Sequence, residues 1–220
     1  MDLFSYLLGK QSGGGGGGDS HDWSLIGYSE EPQAIEEGYN YAVEIMENWD
    51  NTQTNLQNKF LSDNKLIFMP LVDTSSATSM YNTFSQCVGM ISMPLLDTSK
   101  VTSMYGMFYN CHNLKSVPQF NTQNVTDVQT MFQSCASLQN VPQLNLSKVR
   151  YATNMFKSCA KLTDTSLDNI LKMCANTTSA YKDAKTLKQL GFSANNYSVS
   201  KIEALPHYQD FTNAGWTIGY

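Results

Sequence analysis

The stretch PLLDTSKVTSMYGMFYNCHNLKSVP, residues 94–118, decides the fold because the chain on either side repeats the same pattern at a constant interval. Proline, phenylalanine, cysteine and valine all keep this interval. They stand at Pro70, Pro94, Pro118 and Pro142; at Phe84, Phe108, Phe132 and Phe156; at Cys87, Cys111, Cys135 and Cys159; and at Val101, Val125 and Val149. Chance does not keep four residue types in register over several turns, so the segment is an internal repeat.

The order of residues within one repeat predicts a strand followed by a short helix. Residues 114–117 alternate apolar and polar side chains and stop at Pro118, which has no N–H to donate to a sheet. Residues 97–99 are Asp-Thr-Ser, which suits the start of a helix. The apolar residues that follow have the spacing of one helix face, formed by Val101, Met104, Met107, Phe108 and Cys111. One repeat, called a rung below, is therefore predicted to be strand, turn, short helix and turn.

Stacking of the rungs would bury the apolar stripe of each repeat. A single rung cannot cover its own apolar side chains, whereas its neighbours can. The step from Cys87 to Cys111 gives a period of about 24 residues, which lies within the range of leucine-rich repeats. We therefore expect an α/β fold, a leucine-rich-repeat solenoid of short strand–turn–helix rungs with helical N- and C-terminal caps.

The chain divides into four predicted regions. They are an N-terminal docking segment with an oligoglycine linker (1–20), an N-terminal helical cap (21–55), the repeats (56–162) and a C-terminal cap (163–220). The spacing of apolar residues predicts a helix in the first cap, over residues 31–49. For the second cap it predicts helices at 166–174, 185–190 and 202–211, and a final strand at 216–218.

The first ten residues form a short apolar segment that is followed by glycines. Residues 13–18 are six consecutive glycines, which is typical of a flexible linker. An exposed apolar segment of this kind usually docks on another surface, and the candidate anchor residues are Leu3, Phe4, Leu7 and Leu8. The alternative is a frayed tail. A signal peptide would need a basic start and a longer apolar stretch, whereas Asp2 is acidic.

Composition excludes several functional classes. The formal net charge is −5 and only 15% of the residues are charged, so no basic field is present to hold a nucleic acid. No apolar run approaches the roughly 20 residues of a membrane-spanning helix. The sequence therefore predicts no nucleic-acid partner and no membrane span.

The residues that carry reactive groups predict neither a catalytic site nor a cofactor. The repeated cysteines fall on the inner face and are expected to be buried free thiols; a disulfide ladder between rungs and a zinc site are the alternatives. Asp73 and Asp97 share a repeat position that calcium could use, but Asn121 and Asn145 follow there, so backbone capping is favoured. The histidines have no spacing typical of a triad or metal site, and stand at positions His21, His112 and His207. We predict no catalytic residue, no metal and no cofactor.

Residues 94–118 are very similar to the BspA-like leucine-rich repeats, which also occur in mycoplasma-lipoprotein-type surface proteins. The resemblance extends over residues 56–162. It implies a surface-exposed, non-enzymatic protein that binds host molecules or mediates adhesion, and it brings no shared catalytic residues. Residues 1–20 resemble instead the attachment end of a prophage tail-fibre or similar virion protein.

Two sets of outward residues are the predicted binding surfaces. The first set lies between the inner positions of each predicted strand, on the face where solenoids commonly bind. Its members are Ile67, Phe68, Ile91, Ser92, Lys115, Ser116, Gln139 and Asn140. The apolar members could instead be covered by the caps. The second set lies on the predicted helix and comprises Tyr81, Tyr105 and Tyr109, for which internal packing is the alternative.

These observations predict a non-catalytic recognition or adhesion protein that binds a protein or glycan on another cell surface through its solenoid. The predicted location is extracellular, on a bacterial surface or a virion. The alternative is a phage tail-fibre or other virion receptor-binding component that is anchored, or self-associates, through residues 1–20. A third interpretation is an enzyme whose chemistry lies in residues 191–220, although no nucleophile and base are evident there.

Overall fold

The computed structural model describes residues 32–177, 181–183, 185–186, 188–193 and 196–219. In these ranges the helices are α1 (Pro32–Glu47), α2 (Asp164–Ala175), α3 (Val199–Glu203) and α4 (Tyr208–Asn213). Between α1 and α2 the chain consists of turns and isolated parallel bridges, with no helix and no sheet in this described stretch. The repeats therefore form a stack built almost entirely from turns.

The predicted α/β leucine-rich-repeat solenoid of strand–turn–helix rungs is wrong. The segment expected to be helical contains two residues with left-handed backbone, Gly106 (φ 57°) and Asn110 (φ 61°), and a right-handed helix cannot continue through either. The same two positions are left-handed in the other rungs, at Asn58 and Ser62, Asn82 and Gln86, Thr130 and Ser134, and Asn154 and Ser158. The segments expected to be strands contribute only isolated bridges, between Phe68 and Ser92 and between Ser116 and Asn140.

Residues 104–111 and their equivalents, called the turn segment below, replace the expected helix with two alternating sets of hydrogen bonds. One set closes turns within a rung: the N–H of Met107 donates to the carbonyl of Met104 at 3.2 Å. The other set joins successive rungs: the N–H of Gly106 donates to the carbonyl of Gln129, and that of Phe108 to the carbonyl of Met131, both at 2.9 Å. Successive N–H groups thus donate in turn to a carbonyl of the same rung and to a carbonyl of the next rung. The buried backbone is therefore paired without a helix or a sheet.

Two further ladders hold the rungs in register elsewhere around the coil. At one of them the N–H of Thr102 donates to the carbonyl of Thr78, and the N–H of Thr126 to the carbonyl of Thr102, each at 2.9 Å. At the other, the N–H of Gln139 donates to the carbonyl of Lys115 at 2.9 Å. The donor and acceptor in each of these bonds are one full repeat apart in the chain. One repeat of the sequence therefore forms one rung of the stack.

A column of phenylalanine rings forms the centre of the core. Phe84, Phe108, Phe132 and Phe156 stack with successive ring centroids 5.6 Å apart. Trp49 and Phe60 continue the column at the N-terminal end, and Phe192 packs against its C-terminal end. The phenylalanine rings are buried, and the large apolar area that they remove from water is the main stabilising contribution of each rung.

The five cysteines are free and buried, which confirms the interpretation of the repeated cysteines as internal thiols. The thiol of each repeated cysteine donates to a phenylalanine carbonyl in the preceding rung; for Cys111 the acceptor is Phe84 at 3.0 Å, and for Cys135 it is Phe108 at 3.1 Å. Burial raises the pKa of Cys87 and of Cys159 to about 12. The thiols therefore act as small apolar groups that also tie neighbouring rungs together.

The first rung, residues 55–78, ends the stack with an unpaired backbone edge. In later rungs the corresponding carbonyls accept bonds from the rung before, as that of Tyr81 does from the N–H of Asn58 at 3.0 Å. Within the described ranges no donor reaches the carbonyls of Asn55, Gln57, Lys59 and Leu61. The exposed side chain of Lys59 also stands where the later rungs have the buried Thr83, Met107, Met131 and Met155.

The N-terminal cap contains the helix that the sequence predicts. The side chains of Ala42 and Ile45 on helix α1 are buried in the core. Its Tyr41 hydroxyl donates to the Asp63 carboxylate at 2.5 Å, and burial together with this bond raises the pKa of Tyr41. After α1, the Trp49 indole donates to the carbonyl of Asp73 at 2.8 Å and covers the end of the ring column.

The C-terminal cap differs in part from the prediction. Helix α2 confirms the helix expected at 166–174, and it begins where Thr163 accepts the N–H of Ser166. The helix expected at 185–190 is wrong: its described residues form turns that act as a partial rung, where Leu190 accepts from the N–H of Phe156 at 2.8 Å. In place of the single helix predicted at 202–211, the structure has two short helices, α3 and α4. In place of the predicted strand at 216–218, it has one isolated bridge between Thr186 and Thr217.

We expect Phe108→Ala to lower the free energy of unfolding by about 3–5 kcal/mol, the usual loss when an aromatic side chain leaves a cavity in a core. Phe108 is fully buried between two stacked rings. Urea unfolding monitored by circular dichroism measures the change. The exposed Leu95→Ala is the control and should cost about 0.5 kcal/mol or less. A loss below about 1 kcal/mol for Phe108→Ala would contradict the stacking described above.

We also expect the thiols of the native protein to remain unreactive towards Ellman's reagent at pH 8. With a pKa of about 12, only roughly one in ten thousand molecules carries the Cys87 or Cys159 thiolate at that pH, and burial blocks the reagent as well. All five should react after unfolding in guanidinium chloride. Reaction of any thiol within minutes in the native state would show that the column of cysteines is accessible.

Candidate functional site

One side of the rung stack carries outward side chains that do not pack in the core. One bond between rungs is made among them, since the Gln119 Nε2 donates to the carbonyl of Gln143. Each rung contributes the first and third residues after its repeated proline. We call this surface the amide groove, and its residues are Leu95, Asp97, Gln119, Asn121, Gln143 and Asn145. The same two positions in the first rung are held by Leu71 and Asp73, which extend the surface towards the N-terminal end.

The local sequence explains why these side chains face outward. The residue between each pair is buried in the core, at Leu96, Phe120 and Leu144, so in extended backbone its neighbours on both sides face away. The third residue then fixes a turn: Asp97 accepts the N–H of Ser99 at 2.9 Å, and Asn145 accepts that of Ser147 at 2.9 Å. These bonds show that the repeated Asp and Asn residues cap the backbone.

The hydrogen-bond ladders between rungs are interrupted along the amide groove. Proline removes one donor from each rung at this point. No acceptor among the described residues takes the N–H of Leu95, Gln119 or Gln143. The rungs are instead tied here by side chains, since the Thr98 hydroxyl donates to the carbonyl of Asn121 at 3.0 Å. Backbone donors thus stay unpaired at the same position of three successive rungs, and they are available to water or to a ligand.

Two adjoining cavities make this surface concave. The larger, of about 460 Å³, lies between the third and fourth rungs and is lined by Gln119, Asn121, Gln143 and Asn145 among others. The smaller, of about 310 Å³, is lined by Leu95, Asp97, Gln119 and Asn121 among others. Because Gln119 and Asn121 line both, the cavities form one groove that runs along the axis of the stack.

The charge of this surface changes from one end to the other. Hydrogen bonds from the backbone N–H groups of Ser75 and Ser99 lower the pKa values of Asp73 and Asp97, so both carboxylates are ionised at neutral pH. The next two rungs have neutral amides at that position, at Asn121 and Asn145. Leu95 lies at the acidic end and is 56% exposed, more than any other large apolar side chain among the described residues.

The first set of sequence-predicted binding residues forms a column, but its members differ in accessibility. Ile67, Phe68 and Ile91 are buried, and Gly38 of α1 packs directly against Ile67. A Cβ atom at Gly38 would lie 2.8 Å from the Cβ of Ile67. The remaining members are exposed or half-buried, namely Ser92, Lys115, Ser116, Gln139 and Asn140. The structure thus leaves only the polar end of this column accessible to a ligand.

The second set, the tyrosines, is half-buried. Tyr81 and Tyr105 occupy the same position of neighbouring rungs, and their rings stack with centroids 4.7 Å apart. Stacking covers one ring face of each, so mainly the edges and hydroxyl groups remain for contact. Tyr109 lies in the same turn segment and is half-buried as well. The candidate anchor residues Leu3, Phe4, Leu7 and Leu8 lie outside the residues that the structure describes.

The structure brings together one pair that the sequence analysis did not identify. His207 Nδ1 lies 2.7 Å from Asp168 Oδ2, and the His207 N–H donates to Asp168 Oδ1 at 2.8 Å. The two residues are 39 positions apart and follow no motif, so no signal in the sequence marks them. The pair joins the start of α4 to α2. The contact links two elements of the C-terminal cap.

No three histidine, cysteine or acidic side chains in the described part of the chain come together in a way that could hold a metal ion. None of the described helices has the length and apolar character needed to cross a bilayer.

Comparison with known proteins identifies the repeat region. A family model described as "Mycoplasma protein of unknown function, DUF285" matches residues 78–195, which is just over half of the chain. This match includes the whole amide groove. No curated protein and no solved structure matches the sequence. The chain therefore belongs to the DUF285 family of mycoplasma proteins of unknown function.

Proposed function

We propose that the protein is a non-catalytic recognition or adhesion protein of a cell surface, which binds a protein or glycan on another surface through the amide groove. One observation carries this proposal. Along this groove, three successive rungs present side chains and backbone N–H groups at the same positions, and the fold leaves these backbone donors unpaired.

The different uses of the side chains within a rung support this proposal. The turn segment uses its backbone for pairing and its apolar side chains for the core, and the threonine ladder pairs a second side of the coil. Leu95, by contrast, is largely exposed, although burying such a side chain contributes about 1.5–3 kcal/mol. An exposed apolar residue beside unpaired polar groups is typical of a contact surface.

The chemistry of the groove favours binding over catalysis. Its titratable lining group is the Asp97 carboxylate, whose pKa is lowered, so it is a weak base at neutral pH. The thiols are buried in the core, where their raised pKa values make them poor nucleophiles. The proposal of a surface location is supported by the resemblance of the repeat to BspA-like surface proteins and by the DUF285 match.

Binding to surfaces should therefore depend on the groove. We expect the double variant Leu95→Ser/Gln143→Ala to bind at least tenfold more weakly than wild type to fixed cells and immobilised extracellular-matrix proteins, because it removes apolar and polar contacts together. Titration of biotinylated protein on these surfaces measures the change. Leu61→Ser is the matched control, since Leu61 is also exposed but lies outside the groove. Equal binding by the double variant and wild type, or an equal loss in Leu61→Ser, would contradict the proposal.

The alternative proposal is a virion component that is assembled through residues 1–20, and it rests on the apolar segment followed by six glycines. It predicts that the full chain forms a defined oligomer in multi-angle light scattering. Leu3→Asp/Leu7→Asp should then be a monomer, because charge at these positions opposes apolar association. A monomeric wild-type chain would leave the segment without a self-partner and argue against assembly of this kind.

A further inference from the structure

We propose that the amide groove binds a neutral, linear oligosaccharide that lies along the axis of the stack and crosses successive rungs. This inference rests on the proposed function and specifies the ligand of the same surface. It is carried by three features of the groove: the kind of polar group that lines it, the sign of its charge, and its direction relative to the backbone.

The polar groups of the groove match the hydrogen-bonding capacity of hydroxyl groups. The side-chain amide of Gln143 offers donors and an acceptor. The Gln119 amide donates one N–H to the Gln143 carbonyl and keeps its second N–H and its oxygen. Asp97 offers acceptors, and the unpaired backbone N–H groups offer donors. A hydroxyl group donates and accepts at the same time. A ligand with hydroxyl groups along its whole length can therefore pair with a mixed row of this kind at every rung.

The charge of the groove favours a neutral ligand. The residues that line its two cavities carry one ionised carboxylate, Asp97, and no lysine or arginine. Asp73 adds a second carboxylate in line with it, and the pKa values of both are lowered. Lys100 is close enough to contribute to these lowered pKa values but does not line either cavity. A sulfated, phosphorylated or uronic-acid polymer would bring like charge to this surface and would be repelled.

The direction of the groove argues against a peptide. A bound peptide gains most of its affinity from main-chain bonds when it lies parallel to an open backbone edge. The amide groove instead crosses the rungs, because equivalent residues of successive rungs line it. A peptide in this direction could form only isolated bonds. A sugar chain has no such requirement, and the C–H groups of its rings provide an apolar surface for Leu95.

The test uses the full chain and a printed array of neutral and acidic glycans, followed by isothermal titration with neutral tetrasaccharides (cellotetraose, maltotetraose, mannotetraose and chitotetraose) and with tetragalacturonate. We expect binding to at least one neutral glycan series, with affinity that rises from disaccharide to tetrasaccharide as more rungs are contacted. We expect tetragalacturonate to bind at least tenfold more weakly. Binding confined to acidic glycans, or no binding to any neutral glycan on the array, would overturn the inference.

The variants are chosen so that loss of binding does not reflect loss of folding. The side chains of Gln143 and Leu95 make no hydrogen bond within the described structure, whereas Asp97 and Asn121 cap turns. Gln143→Ala should weaken binding of the best neutral tetrasaccharide about fivefold to tenfold, the loss expected for one hydrogen bond. Gln57→Ala is the matched control, because Gln57 is an exposed glutamine outside the groove. An equal effect of both variants would contradict the assignment.

The outcomes separate this inference from the proposed function. Cell surfaces treated with periodate lose their intact sugar rings, and surfaces treated with protease lose their proteins. If binding requires the groove but survives periodate and is abolished by protease, the recognition function stands and the oligosaccharide inference fails. If Leu95→Ser/Gln143→Ala binds untreated surfaces as well as wild type does, both proposals fail.

Discussion

The alternation of hydrogen bonds in the turn segment is the constraint on which the rest of the structure depends. A left-handed residue such as Gly106 or Asn110 stops the helix after each tight turn, and its own N–H donates to the neighbouring rung. Alternate backbone groups can therefore hold the rung together while the others hold the stack together. The stacked rings and the thiol–carbonyl bonds follow from this geometry, since each rung repeats its side chains directly beside those of the last.

The amide groove also follows from the stacking of one repeat on the next, on the side of the coil away from the turn segment. Each rung must return to its starting position within one period of the sequence, and it does so through a proline-led extended segment that cannot join a full ladder. Stability is supplied by the turn segment and the core, so this segment needs only one buried residue, such as Leu96, and one capping carboxylate or amide, such as Asp97. Its remaining outward positions are not required by the core.

The sequence predicted the period, the buried phenylalanines and cysteines, and the positions of α1 and α2, because each rests on residue types that pack in only a few ways. It misidentified the turn segment, since the spacing of Met104, Met107 and Phe108 fits one face of a helix as well as a row of tight turns. Glycine and asparagine at positions 106 and 110 were the available signal, because both tolerate left-handed backbone. The groove could not be predicted, since unpaired N–H groups depend on how the rungs stack.

The unpaired edge of the first rung bears on how the protein avoids forming fibres. A stack whose units pair only with their neighbours can in principle grow without limit, because one open end resembles the place where another rung would be added. Lys59 occupies an inward position of the later rungs, so a chain added on this edge would have to bury its ammonium group or displace it. This charged side chain, together with α1 and Trp49 of the N-terminal cap, gives the stack a defined end.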